Sequence, residues 1–434
     1  MSFRGKLWVL ALSGVIAVYA VIGGLPMVGG LLTTSAQEPV NNAGDQLKIV
    51  ESVLQHIQND YVDDPNMEKV RVGALRGLAG GLDPYSSFLT AEQIKAFEAS
   101  KTSNKVGIGA EFSQVSGYLY VISALKGSPA EKAGMKSGDV IEYIDSKATR
   151  DISLYDARQM ISGDLGTTVS LRVLRAGEKP QTMKVTRGTY KVPPAESRME
   201  AGKIGVIKVY SLEDGEAADI RTQLSGLTKQ GAQKIVLDLR GVAAGSLPEA
   251  ANVANLFIKD GELAKVIGRE NKVTTTYTAD ASKAIFDGGL AVLIDLGTAG
   301  AAEAVASAVI THKRGEVIGE RSFGAGSEQK LFMLRGGDGL LLTVAKWASS
   351  DGKPFLGEDR ATTGIKPSIE VKRPDIPEPL EVENLIDQQT NPKATPTPTP
   401  TPAPKPAVPK VVEDIQLKKA LEVLQDKATA AKAG

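Results

Sequence analysis

The stretch IDLGTAGAAEAV, residues 294–305, has the form of a catalytic elbow. A short apolar strand runs into a turn of small residues, and that turn opens a helix. Amides at a helix N-terminus have no partner within the helix, so such a turn is the usual seat of a nucleophilic serine. No serine stands there: the turn reads Gly297-Thr298-Ala299-Gly300-Ala301-Ala302. Other nucleophiles and bases are scarce. The chain has no cysteine, which excludes disulfides, thiolate zinc sites and thiolate nucleophiles, and only two histidines, His56 and His312. His56 falls in an amphipathic helical pattern, IVESVLQHIQNDYV, and reads as a surface position. His312 falls in ITHKRG at a helix end, where a cation suits the macrodipole. Neither a Ser-His-Asp triad nor a histidine-rich metal site is expected, and no cofactor. Thr298, Ser322 and Ser327 are the hydroxyls nearby in sequence, with Lys313 and Lys330 as bases. Each has a simpler reading as a turn hydroxyl, a strand–loop residue or a solvated charge.

The elements that would position this turn alternate between strand and helix. KIGVIKVY, KIVLDLRG and LAVLIDLG read as strands. EAADIRTQLSGLTKQ, SLPEAANVANLFI and AAEAVASAVITHKRG read as helices between or after them. Apolar strands without alternation, separated by helices, predict a mostly parallel sheet covered on both faces. Upstream, residues 45–100 read as helical, with Leu47, Val50, Val53, Leu54 and Ile57 on one face and Thr90 capping a later helix. Residues 103–187 change to short strands and glycine turns.

The ends carry their own signals. Arg4 and Lys6 precede an apolar run from Leu7 to Leu25, which would span about 28 Å as a helix, close to a bilayer's hydrocarbon core. Residues 1–36 are therefore expected to be a membrane anchor or a signal peptide cleaved after Ala36, with the rest in the cell envelope, outside the cytoplasm. Residues 376–410 are a linker whose ATPTPTPTPAPKPAVP core could reach roughly 50 Å, and 411–434 read as a helix. Lys+Arg and Asp+Glu balance at 51 each, with no basic stripe, which argues against nucleic acid as a partner.

The stretch VGIGAEF…YLYVISALKGSPAEKAGMKSGDVI…GTTVSLRVLR resembles a PDZ domain over nearly its whole length. That resemblance implies that Gly107, Ile108, Gly109 and Ala110 line a site for a peptide carboxylate, the peptide adding as a strand beside the domain helix. Glycines suit such a loop because several amides must converge on one concavity. From about residue 45 to 370 the chain also resembles the carboxyl-terminal processing peptidases, or tail-specific proteases. LDPYSSFLTAEQ, VLDLRG, GTAGAAEAVASAVITHKRGEVIGERSFGAGSEQ and TTGIKPSIEV follow that family's order. The implied fold is an α/β peptidase-like core, residues 188–375, with an inserted PDZ domain and the N-terminal helical segment.

Members of that family use a serine–lysine dyad, the lysine uncharged through burial. The serine belongs to a Gly-Ser/Thr-Ala-Ser-Ala-Ser-Glu pattern, which places Gly300 at the nucleophile. The lysine belongs to Phe-Gly-Lys-Gly, which places Ala325 at the base. Gln329 matches the glutamine that assists the lysine. The amides of Gly241 and Ala301 fall at the oxyanion positions, although the loop DLRGVAAG has lost the family's asparagine, proline and one glycine. Losing such a nucleophile costs about 10⁶ in turnover, and losing the base as well adds little. The expectation is a catalytically inactive homologue that binds C-terminal tails of exported proteins, alone, as a homo-oligomer or beside an active relative. A serine-type endopeptidase with a displaced nucleophile is the alternative.

Overall fold

The computed structural model describes residues 43–100, 105–357, 362–373 and 413–430. The apolar N-terminal run and the proline-rich linker lie outside the described residues. Contacts divide the chain at Arg71/Val72 into two compact units, so the helical stretch expected over 45–100 belongs to both. In the first, α1 (Ala43–Asp60) leaves Leu47 and Val53 more than half exposed, and His56 is an exposed partner of Asp60 at 2.6 Å. Among the described residues, no helix is long and apolar enough to cross a membrane.

Helix α2 (Met67–Gly80) leads to β1 (Ser87–Leu89) and α3 (Ala91–Ser100). Thr90 and Gln93 cap α3 reciprocally: the Gln93 amide donates to Thr90 Oγ1 at 3.3 Å, and the Thr90 amide to Gln93 Oε1 at 3.0 Å. The next sheet is antiparallel. It contains β2 (Ala110–Val115), β3 (Tyr118–Ala124), β4 (Val140–Ile144), β5 (Lys147–Ala148), β6 (Thr168–Leu174) and β7 (Gln181–Thr186), in the order β2-β3-β4-β6-β7 with β5 beside β4. Short α4 (Pro129–Lys132) and α5 (Leu154–Ile161) close it around Phe112, Leu119, Ile141, Leu154 and Leu171. Both helices start on a serine, Ser128 or Ser153, whose hydroxyl accepts the amide three residues on.

The remaining elements are β8 (Glu196–Glu200), β9 (Ile204–Lys208), α6 (Glu216–Lys229), β10 (Lys234–Asp238), α7 (Leu247–Asn255), β11 (Glu262–Gly268), β12 (Val273–Thr278), β13 (Gly289–Ile294), α8 (Ala301–Thr311), β14 (Glu316–Gly319), β15 (Ser327–Met333), β16 (Gly339–Ser349), β17 (Ile369–Glu370) and α9 (Ile415–Ala430). One sheet runs β17-β14-β13-β10-β9-β8, parallel except for β8 against β9. Its strands read as continuous apolar runs because side chains on both faces are covered. Ile207, Leu237 and Val292 face a cluster shared with α6, α7 and α8. Val206, Val236 and Leu293 face Ala420 and Leu424 of α9.

Beside this mostly parallel sheet the core holds a second sheet that is wholly antiparallel, so the core as a whole is mixed. The second sheet runs β1-β16-β11-β12, with β15 also on β16. One of its strands comes from the chain before the PDZ-like sheet and the rest from after it, so no contiguous stretch of sequence announces it.

Candidate functional site

Three loops leave the carboxyl edge of the parallel strands side by side, where open α/β sheets place their sites. Residues 239–246 follow β10, 295–300 follow β13 and 320–326 follow β14. The first two are stitched together. The Thr298 hydroxyl donates to the Leu239 carbonyl at 3.0 Å and receives the Asp295 amide at 2.9 Å. Ala299 donates its amide to the Val242 carbonyl at 2.9 Å. The third loop joins through Phe323, whose amide donates to the Thr298 carbonyl at 2.9 Å.

Gly300 is the N-cap of α8, with φ 56° and ψ −108°. That is the sharp strand-to-helix elbow, held in a conformation that glycine adopts freely and other residues rarely do. A Cβ here would lie 3.5 Å from Trp347 Cζ3, an ordinary contact, so space for a serine side chain remains. Gly300→Ser is accordingly expected to fold with the strain of the positive φ at ψ −108° as its main cost, about 1–3 kcal/mol. Urea denaturation of the two chains checks this, since a steric clash would cost several times more.

The acid that follows the elbow organises the site. Glu303 is 0% exposed. Its Oε2 accepts the amides of Gly300 at 2.7 Å and Ala325 at 2.8 Å; its Oε1 accepts the Gly324 amide at 2.7 Å and the Ser322 hydroxyl. Burial pushes its carboxyl up to about 7, against the pull of Ser322 and the three amides. Gly300 and Ala325, the positions where the dyad was expected, are thus held by one carboxyl group. In the sequence Glu303 is marked only by its place in the pattern. The signal was there: an acid three residues past a helix cap reaches back to the cap amide.

The oxyanion positions differ from each other. Ala301 opens α8 beside Gly300. The Gly241 amide donates to Asp295 Oδ1 at 2.9 Å, and Asp295 Oδ1 also takes the Gly297 amide at 3.0 Å. Asp295 Oδ2 lies 3.2 Å from Arg373, which also pairs with Glu320 at 3.0 Å. Gln329 lies on β15, exposed, with its amide donating to Ser327 Oγ at 2.8 Å and Thr343 Oγ1 at 3.3 Å. The candidate substitutes are placed elsewhere or already engaged. Thr298 and Ser322 are both 0% exposed, and the Ser322 hydroxyl also receives the Ile365 amide at 2.6 Å. Lys313 and Lys330 are exposed. His312 caps the far end of α8, its Nε2 2.8 Å from the Glu262 carbonyl.

The antiparallel sheet sits directly on these loops. Tyr118, Tyr120 and Ile122 of β3 pack with Ala299, Phe323, Leu296, Ala243 and Ala325. The Tyr120 and Phe323 rings lie 5.5 Å apart, and the Ser123 hydroxyl donates to the Gly241 carbonyl at 2.6 Å. On the opposite side of that sheet, Gly107, Ile108, Gly109 and Ala110 form one turn entering β2. Its carbonyls at 107, 108 and 109 accept from Gly188, Ala130 and Leu125 at 3.2, 2.8 and 2.9 Å. Gly109 has φ 74°, and a Cβ on it would stand 2.4 Å from Ser128 and 2.7 Å from the Tyr190 ring, so glycine is required.

Comparison with known proteins fits this architecture. Residues 203–371 match peptidase family S41 and residues 120–175 match the PDZ domain. The carboxy-terminal processing protease CtpA of Bacillus subtilis is 31% identical over 340 residues, 78% of this chain and 72% of the relative. A probable CtpA-like serine protease of Staphylococcus haemolyticus is 31% identical over 382 residues, 86% of this chain and 74% of its own. Among solved structures, the photosystem II D1 C-terminal processing protease superposes with a TM-score of 0.61 at 26% identity, over 76% of this chain and 94% of that one. The chain therefore belongs to the carboxyl-terminal processing peptidases of family S41.

Proposed function

We propose that this protein is a catalytically inactive member of its family that binds protein C-terminal tails through its PDZ domain, as a scaffold or regulatory subunit in the cell envelope. The observation that carries the reading is the elbow at Gly300. Backbone, helix and neighbouring loop keep the form of a nucleophile site, while the side chains that would attack and take a proton are a hydrogen and the Ala325 methyl. The thiol, imidazole and amine alternatives fail on composition or position. The Ser322–Glu303 pair sets a hydroxyl beside a carboxyl with a raised pKa. It is fully buried, and both groups hold the backbone together. The apolar N-terminal run supports placement at a membrane, and the amides of Gly107–Ala110 support capture of a tail carboxylate.

Two measurements test this together. The full chain, incubated with an unstructured protein ending in apolar residues, is expected to leave it intact on a gel. A fluorescent peptide with the same end is expected to raise its anisotropy on binding, and its C-terminal amide to bind at least tenfold more weakly, because a carboxylate at a cradle of amides makes charge-assisted hydrogen bonds. Cleavage that disappears in Ser322→Ala, or in Ser327→Ala, would establish a displaced nucleophile and overturn the inactive reading. Equal binding of acid and amide would remove the carboxylate site.

A further inference from the structure

The edge of the PDZ sheet that would receive a tail is not empty. Strand β2 pairs with β3 alone, so its other edge faces α5. Arg158, on α5, crosses that gap. Its Nη2 donates to the Phe112 carbonyl at 3.3 Å and lies 3.6 Å from Glu111 Oε2. The backbone oxygen that an added strand would use is therefore occupied by a side chain of the domain itself.

Which residue of a tail meets Arg158 follows from strand geometry. A tail whose carboxylate rests on Gly107–Ala110 runs antiparallel to β2, its last residue beside Ala110. Backbone groups point to one edge at every second residue, so the residue two before the end falls beside Phe112 and its amide needs the Phe112 carbonyl. Side chains of the last and third-last residues share one face, the face turned to α5. When the tail amide takes the carbonyl, the guanidinium loses an acceptor at the place where the third-last side chain arrives. Guanidinium has five donors and can serve two carboxylates at once, so Glu111 need not be released.

Resting on the tail-binding reading, we infer that Arg158 is a specificity-determining residue that selects tails with aspartate or glutamate third from the end. A carboxylate there replaces the lost acceptor with a stronger one; an alkyl side chain leaves the guanidinium to water; a lysine is repelled. Arg158 is 48% and Glu111 36% exposed at their side chains, so solvent screens the contact and the preference is modest. About fivefold between glutamate and alanine is expected, the size of a partly exposed ion pair.

The test is anisotropy binding with the full chain. It uses peptides that end in the same apolar residue and carry glutamate, alanine or lysine third from the end. The native chain is expected to rank them glutamate, alanine, lysine. Arg158→Ala is expected to bind the alanine tail at least as well as the native chain, since the occupied edge is vacated, and to lose the glutamate preference. Arg158→Lys is expected to keep part of it. If native and variant chains bind the three tails alike, or Arg158→Ala keeps the ranking, Arg158 has no such task while tail binding stands. If no tail binds to the native chain or to Arg158→Ala, the tail-binding reading falls and this inference with it.

Discussion

Replacing Glu303 by alanine is expected to lower the unfolding free energy by about 4 kcal/mol, seen as a shifted urea midpoint at unchanged slope. The substitution strands three backbone amides and the Ser322 hydroxyl without an acceptor in a buried site. Each such group costs about 1–3 kcal/mol, partly recovered where water enters the space left by the side chain. A loss below about 1 kcal/mol would mean that the loop 322–325 keeps its shape without the clamp. The same residue sets a pH dependence. Its carboxyl is raised from an ordinary 4.5 to about 7, so the folded state holds that proton more tightly than the unfolded chain does. The resulting stabilisation is complete below about pH 4.5, declines as pH rises to about 7 and is absent above. Its full size is roughly 3 kcal/mol. Glu303→Gln, which cannot titrate, is expected to lose this component, so native-minus-variant stability should fall between pH 5 and 8.

Ala325→Lys, which would place a base at the position we propose for one, is expected to destabilise the chain by about 2–3 kcal/mol and to expose the seam between PDZ domain and core to proteolysis. The Ala325 methyl packs in a cluster with Tyr118, Tyr120, Ile122 and Phe323. A lysine there must push the aromatic pair apart or leave its ammonium among apolar groups, where the charged form is disfavoured. The measurement is the urea midpoint together with the rate of limited proteolysis, against Ala325→Leu as a control for size. Equal losses in both variants would attribute the effect to volume; no loss in either would show that the seam has room. Adding the serine alone meets no such obstacle, because the space at Gly300 is open. Of the two substitutions, the lysine is the harder for this conformation to accommodate.

Local signals gave the elements that are contiguous in sequence. The three helices α6, α7 and α8, the strands between them, the cap at Thr90 and the elbow at 294–305 are each specified within a dozen residues or so. The site positions could be read because pattern and spacing travel with the chain. What escaped depends on meetings between distant residues. Strand β1 is three residues long and pairs with Leu341, Leu340 and Gly339; nothing in SFL marks it as a strand. The seating of β3 on Phe323 and Gly241 joins stretches far apart in the chain. The Gly241 amide was assigned by position to an oxyanion site, yet its partner Asp295 lies in another loop. Likewise, the contact of Arg158 with the Phe112 carbonyl joins α5 to a strand more than forty residues away in the chain.

Helix α9 packs on one face of the parallel sheet, and its position in the chain gives that fact a meaning in time. Ala420 and Leu424 seal Ile204, Val206, Val236, Ala291, Leu293 and Ile318, and Asp414 at its start binds Arg240 at 2.8 Å. Every strand that α9 covers is synthesised before it, and a proline-rich stretch intervenes. During translation the sheet can pair its strands and pack α6–α8 while its other face stays wet, a long interval at about 5–20 residues per second. A nascent chain at that stage carries a broad apolar surface with nothing to cover it, the state in which aggregation competes with folding. Export before folding, or a chaperone's hold on that face, would protect the chain until its last helix arrives.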